Sequence, residues 1–177
     1  MFIGLGGCAG LIVLLLVVVI GCAAILGSIG GGGGGDEPNP QDQPAAAIGE
    51  TVAVGDVAWT VTDAKEANRL TAEFANPLQG DFVIVNFDFK NNDSEPVTLD
   101  NQSLALIDSE GNKSQADSNK FQYLPKDRNI FLQRINLGVS QQGQAIFTVA
   151  SDASGFKLQA GDTAALSDEN GYVDLGF

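Results

Sequence analysis

Histidine is absent from this 177-residue chain, and cysteine, methionine and tryptophan number only two, one and one. Without an imidazole there is no Ser-His-Asp or Cys-His catalysis and no His-ligated zinc, copper or haem, because each uses that ring as base or ligand. Cations are scarce as well: nine Lys and Arg stand against 22 Asp and Glu, a formal charge of -13. A phosphate-neutralising surface would have to be built against that field, so no nucleic-acid partner is expected. The 142 residues from Asp36 to Phe177 carry every charge and no cysteine. A thiol-free soluble part is compatible with either side of a membrane. No enzyme and no cofactor is expected from such a composition.

What the chain does have begins with apolar length. From Phe2 to Ile29 there are 28 residues without a charge, centred on the run Leu11 to Ile20. At about 1.5 Å per helical residue this exceeds the roughly 30 Å hydrocarbon core of a bilayer. Three membrane readings compete for residues 1–29: a retained transmembrane anchor, a cleaved secretory signal, and a lipoprotein signal in which Val19-Ile20-Gly21-Cys22 resembles a lipobox and Cys22 is the lipidation candidate. The anchor is the primary expectation, because no Lys or Arg precedes Lys65 and the apolar run continues past Cys22. For the same reason the positive-inside rule gives no orientation. Cys8 and Cys22 are small packing residues of this segment rather than a disulfide pair.

Residues 30–47 read as a flexible linker: glycine is uninterrupted from Gly30 to Gly35, then come Asp-Glu-Pro-Asn-Pro-Gln-Asp-Gln-Pro and three alanines. Such a stretch buries nothing, and as a coil of about 20 residues it would span on the order of 25 Å. The glycines are no phosphate cradle, since G-x-x-x-x-G-K-[ST] does not occur.

Residues 48–177 change to period two, the mark of half-buried strands. Val57, Trp59 and Val61 alternate with Ala58, Thr60 and Thr62; Val83, Val85, Phe87 and Phe89 with Ile84, Asn86, Asp88 and Lys90; Ala145, Phe147 and Val149 with Gln144, Ile146 and Thr148. Shorter strand candidates are 52–54, 103–107, 121–123, 129–132, 156–159 and 172–175, separated by turn formers such as Asn91-Asn92-Asp93-Ser94. About eight short strands without a helical stripe predict an all-β fold, an antiparallel β-sandwich. Trp59, Phe87, Phe89 and Phe147 are the expected core between its sheets.

The segments Gly49-Glu50-Thr51-Val52-Ala53-Val54-Gly55-Asp56, Gly80 to Asn92, Glu95-Pro96-Val97-Thr98-Leu99, Leu106 to Gly111, Phe131 to Asn136 and Tyr172-Val173-Asp174-Leu175, in this order, resemble the DUF4352 family. The resemblance implies an immunoglobulin-like, MPT63-like β-sandwich displayed outside prokaryotic cells on a transmembrane or lipoprotein anchor, with no established activity. Leu137 stands where the family often has Pro, and Asp152-Ala153 follows a strand where Pro is common.

Two acidic loops are the candidate sites. Asp108, Glu110 and Asn112 surround Gly111 and offer the oxygen ligands that calcium prefers, although the EF-hand order is not met. An acidic hairpin turn accounts for the same residues. Asp168-Glu169-Asn170-Gly171 is a second loop of that kind. A glycoside-hydrolase pair of carboxylates would need a cleft, which sequence cannot place. Asn92, Asn101 and Asn112 open N-x-[ST] glycosylation patterns. The functional expectation is a membrane-anchored extracellular module contacting an envelope protein or glycan; the alternative is a lipoprotein or secreted domain binding calcium through its acidic loops.

Overall fold

The computed structural model describes residues 39–163 and 167–177, so Cys22, the apolar segment and the glycine run lie outside the described residues. Among the described residues no helix is long and apolar enough to cross a membrane. The described residues form eleven strands: β1 (Ala46–Ala47), β2 (Thr51–Val54), β3 (Val57–Ala72), β4 (Ala75–Asn91), β5 (Val97–Thr98), β6 (Leu104–Ile107), β7 (Lys113–Gln115), β8 (Arg134–Ile135), β9 (Ser140–Thr148), β10 (Lys157–Gly161) and β11 (Asn170–Asp174). They form a five-stranded sheet β1-β11-β10-β6-β7, a four-stranded sheet β2-β3-β4-β9 and the small pair β5-β8. The architecture is a β-sandwich.

The alternating apolar residues explain the core. Trp59, Val61, Val83, Val85, Phe87, Phe89, Ala145 and Phe147 point inward from the four-stranded sheet and meet Leu104, Leu106, Leu158, Ala160 and Val173 of the other. Trp59 packs edge-on against Phe89 at 4.8 Å and tilted against Phe87 at 5.4 Å, while its indole N–H donates to the Gly161 carbonyl at 3.2 Å. The buried ring thus keeps its polar atom satisfied and ties the two sheets together at one end.

Several expectations differ in detail. Residues 121–123 are not a strand but the end of a 3-10 helix, Ser118–Tyr123, whose N-terminal N–H of Asn119 is accepted by the Asp117 carboxylate. Residues 129–132 form turns, with Leu132 at φ 60. There they serve as packing: Ile130 and Phe131 are buried, Phe131 stacks on Phe121 at 4.7 Å, and Phe131 approaches Phe87 at 6.4 Å. The pattern also hides the long β3–β4 hairpin. Its outer half, 62–82, is too polar to alternate visibly, and bulges at Val61/Asp63, Ala67/Arg69 and Leu70/Ala72 break what alternation there is. Part of the expected linker is folded: Pro40–Asp42 is a 3-10 turn capped by Asn39, and β1 pairs in parallel with β11. Gln41 Nε2 donates to the carbonyls of Ile107, Asp108 and Gly155, and Lys157 Nζ donates to those of Gln41 and Gln43. The turn holding Leu137 closes with Val139 N–H on the Asn136 carbonyl at 3.2 Å and Gly138 at φ 71.

Candidate functional site

The acidic loop 108–112 does bring Asp108, Glu110 and Asn112 together, but as a closed turn. Asp108 is only 7% exposed. Its Oδ1 accepts the backbone N–H of Glu110 at 3.0 Å and of Asn112 at 2.9 Å, and its Oδ2 accepts the Asn112 carboxamide at 2.9 Å. Burial pushes the Asp108 pKa up, but these hydrogen bonds outweigh it and hold the carboxyl below its ordinary value. Asp108 therefore works as the hub of an Asx turn, with three hydrogen bonds to its carboxylate supplied by its own loop. Glu110 is exposed, and the Asn112 carboxamide reaches it at 3.5 Å. Among the described residues no three Asp, Glu, Cys or His side chains are grouped to hold a metal ion. The second acidic loop lies at the opposite end of the sandwich, where Asp168 and Glu169 are exposed and the Asn170 carboxamide donates to the Asp168 carbonyl at 2.9 Å. Of the glycosylation patterns, Asn92 and Asn112 are exposed and Asn101 is half-buried.

A different set of polar residues shares one surface. On β3, β4 and β9 the residues between the core positions face away from the other sheet, and the strand register sets them in rungs. Ala58, Lys90 and Ser140 form one; Thr60, Asp88 and Gln142 the next; Asp63, Asn86 and Gln144 the third. The bulge after Val61 is what turns Asp63 to this face, since strict alternation would send it inward. The third rung is a hydrogen-bonded ladder: Gln144 Nε2 donates to Asn86 Oδ1 at 2.7 Å, and Asn86 Nδ2 donates to Asp63 Oδ2 at 3.1 Å. Beside it Thr51 and Thr60 share a hydroxyl hydrogen bond of 2.7 Å.

Segment 125–128 walls this floor at one end. It is fastened to the β9 edge by the Gln144 N–H donating to the Arg128 carbonyl at 3.0 Å, and it turns on itself through Arg128 N–H to the Pro125 carbonyl at 2.9 Å. Ile130 and Phe131, buried just beyond, hold it there. Gly143 makes the arrangement fit, because a Cβ at that position would collide with the Phe87 ring and the Ile130 side chain. The result is a trough with two shallow hollows. One of about 430 Å³ lies between the ladder and Pro125, Asp127 and Arg128; the other, about 340 Å³, lies over Thr60, Asp88 and Gln142. Gln141 pairs with core-facing Phe89 and so falls on the inner side of β9, where its buried Oε1 has no hydrogen-bond partner among the described residues.

The floor residues Asn86, Asp88 and Gln144 stand in the very alternation that identifies the strands, so their shared face is visible in the sequence. Asp63 and Arg128 are not, the first because of the bulge and the second because no pattern ties a turn residue to a distant strand edge.

The comparisons with known proteins bear on the fold. A profile of the domain of unknown function DUF4352 matches residues 46–170. No curated protein matches the sequence. The yjhA protein of Bacillus subtilis shares the fold at 15% identity and a TM-score of 0.55, over 73% of this chain and 98% of that one. The secreted protein MPT63 of Mycobacterium tuberculosis does so at 13% identity and 0.53, over 74% and 96%. The ycdA protein of Bacillus subtilis, described as a candidate lipoprotein, aligns at 14% identity and 0.50 over 70% of this chain and 38% of its own.

Proposed function

From the premise that this chain belongs to the DUF4352 family, we propose that it is a membrane-anchored, extracytoplasmic immunoglobulin-like module that binds a partner and carries out no reaction. The observation that carries this reading is the order of parts along the chain: 28 uncharged residues, a run of six glycines, then a domain without histidine or cysteine. An apolar segment of that length can be retained by a bilayer. The secreted and candidate-lipoprotein character of two proteins with the same fold supports an address outside the cytoplasm. The immunoglobulin-like assignment is supported by the way the chain pairs at the edge of one sheet as β1 and then crosses to the other as β2.

A second reading is favoured by Val19-Ile20-Gly21-Cys22, in which Cys22 becomes the lipidated N-terminus of a lipoprotein. Both readings place the trough outside the membrane. Proteinase treatment of intact cells tests them together: the domain is digested in intact cells if they hold, and survives until the cells are lysed if they fail. Intact mass then separates a retained segment from lipid on Cys22.

A further inference from the structure

We infer that the trough on the outer face of β3, β4 and β9 binds a neutral oligosaccharide. The inference rests on the display reading only for where the sugar would be met, because the binding chemistry belongs to the domain itself.

The floor of the trough and its charge carry it. The floor presents short amides, hydroxyls and carboxylates at fixed spacing, and the Asp63–Asn86–Gln144 ladder holds its carboxamides in one orientation by hydrogen bonds of 3.1 and 2.7 Å. Groups ordered in this way lose little conformational freedom when a ligand arrives. A sugar hydroxyl both donates and accepts, which matches a surface that offers carboxamide N–H groups beside carboxylate and carboxamide oxygens.

The charge of the surface selects against an anionic sugar. Asp63, Asp88 and Asp127 are offset in part by Lys90 and Arg128, within a chain of net charge -13. An anionic polymer would be repelled by the chain as a whole. Hollows of about 430 and 340 Å³ lie on the same sheet face, and both are open to solvent. Polar side chains predominate in the lining of the first hollow, so hydrogen bonding would dominate there. This predicts weak affinity with high sensitivity to the loss of any one amide.

The test is calorimetric titration of the full chain, held in a detergent without a sugar headgroup, with cellotetraose, chitotetraose and maltotetraose, and with tetragalacturonate as the anionic control. The expected result is saturable one-to-one binding of at least one neutral sugar and none of the control. Asn86→Ala and Gln144→Ala should each weaken that binding about tenfold, the equivalent of one hydrogen bond, with the melting temperature unchanged. Asp108→Asn, in the closed loop, should leave the affinity as it was. Flat traces for all three neutral sugars overturn the inference, as does binding that survives in the Asn86→Ala/Gln144→Ala double variant. If the traces are flat and Asn86→Arg instead abolishes capture of an envelope protein, the occupant is a protein and the sugar reading falls. Surface digestion of cells reports separately on the display reading.

Discussion

The acidic loop 108–112 and the trough over Asp63, Asn86 and Gln144 are both polar, yet they spend their hydrogen-bonding capacity in opposite ways. In the loop, Asp108 accepts two backbone N–H groups and one carboxamide, all from residues within four positions of it. In the trough, the ladder uses one donor per carboxamide and leaves the remaining groups facing outward. A carboxylate hydrogen-bonded by its own turn supports structure, and a row of amides with spare donors and acceptors can support recognition. Acidic density in the sequence points to the first kind of region. The second becomes visible only through strand register.

The largest effect expected is one that leaves the comparison intact. Trp59→Ala removes the ring that joins the two sheets and should destabilise the domain by about 3–5 kcal/mol, measured by urea unfolding followed by circular dichroism because the chain has no other tryptophan. Gly143→Ala sharpens the comparison from the trough side. The added methyl meets Phe87 and Ile130, so about 1–3 kcal/mol of overpacking strain should displace the 125–128 wall and weaken ligand binding, while the 108–112 loop keeps its amide protection from hydrogen exchange.

Asp108→Ala sharpens it from the other side. It removes the acceptor of three hydrogen bonds in a turn whose donors are on exposed residues and should cost about 0.5–1.5 kcal/mol. The same loop has a pH signature. Because the folded-state pKa of Asp108 lies below its unfolded value, its stabilisation is present above the ordinary carboxylate range and is lost as the pH falls through the lowered value. Asp117 behaves alike: burial raises its pKa, but the Thr148 hydroxyl, Lys120 and the Asn119 N–H together lower it. Acid titration of the melting temperature should therefore be shallower in Asp108→Asn than in the parent protein. Smallest of all, Asn86→Ala should change stability by less than about 0.5 kcal/mol, and millimolar calcium should leave the melting temperature unchanged. A rise with calcium that Asp108→Ala removes would break the comparison by making the loop a site.

Much of the fold can be read from the residues themselves. The alternation of Val83, Val85, Phe87 and Phe89 places β4 between partners, and Trp59 and Phe147 join it in the core as their periodicity demands. Phe121 to Tyr123 mislead because an aromatic run is ambiguous between a strand and a helical turn. The capping carboxylate of Asp117 is the local signal that separates the two. The first turn of the domain is hidden for a different reason. Asn39 to Gln43 look like linker, and only the distant carbonyls of Ile107, Asp108 and Gly155 and the ammonium of Lys157 give them a place. Long-range partners of this kind leave no periodic trace. The trough is half legible: alternation lines up Asn86 with Asp88, but the bulge that brings Asp63 beside them depends on one extra residue that no pattern announces.

The side-chain amide resonances of the full chain offer the most direct test, because Asn86, Gln144 and Asn112 report on both regions in a single titration. Adding the neutral tetrasaccharide that binds should shift the Asn86 and Gln144 carboxamide signals saturably while that of Asn112, together with the backbone amides of 110–112, stays in place. Shifts confined to 108–112, or the absence of movement at Asn86 and Gln144 at saturating ligand, would contradict the account.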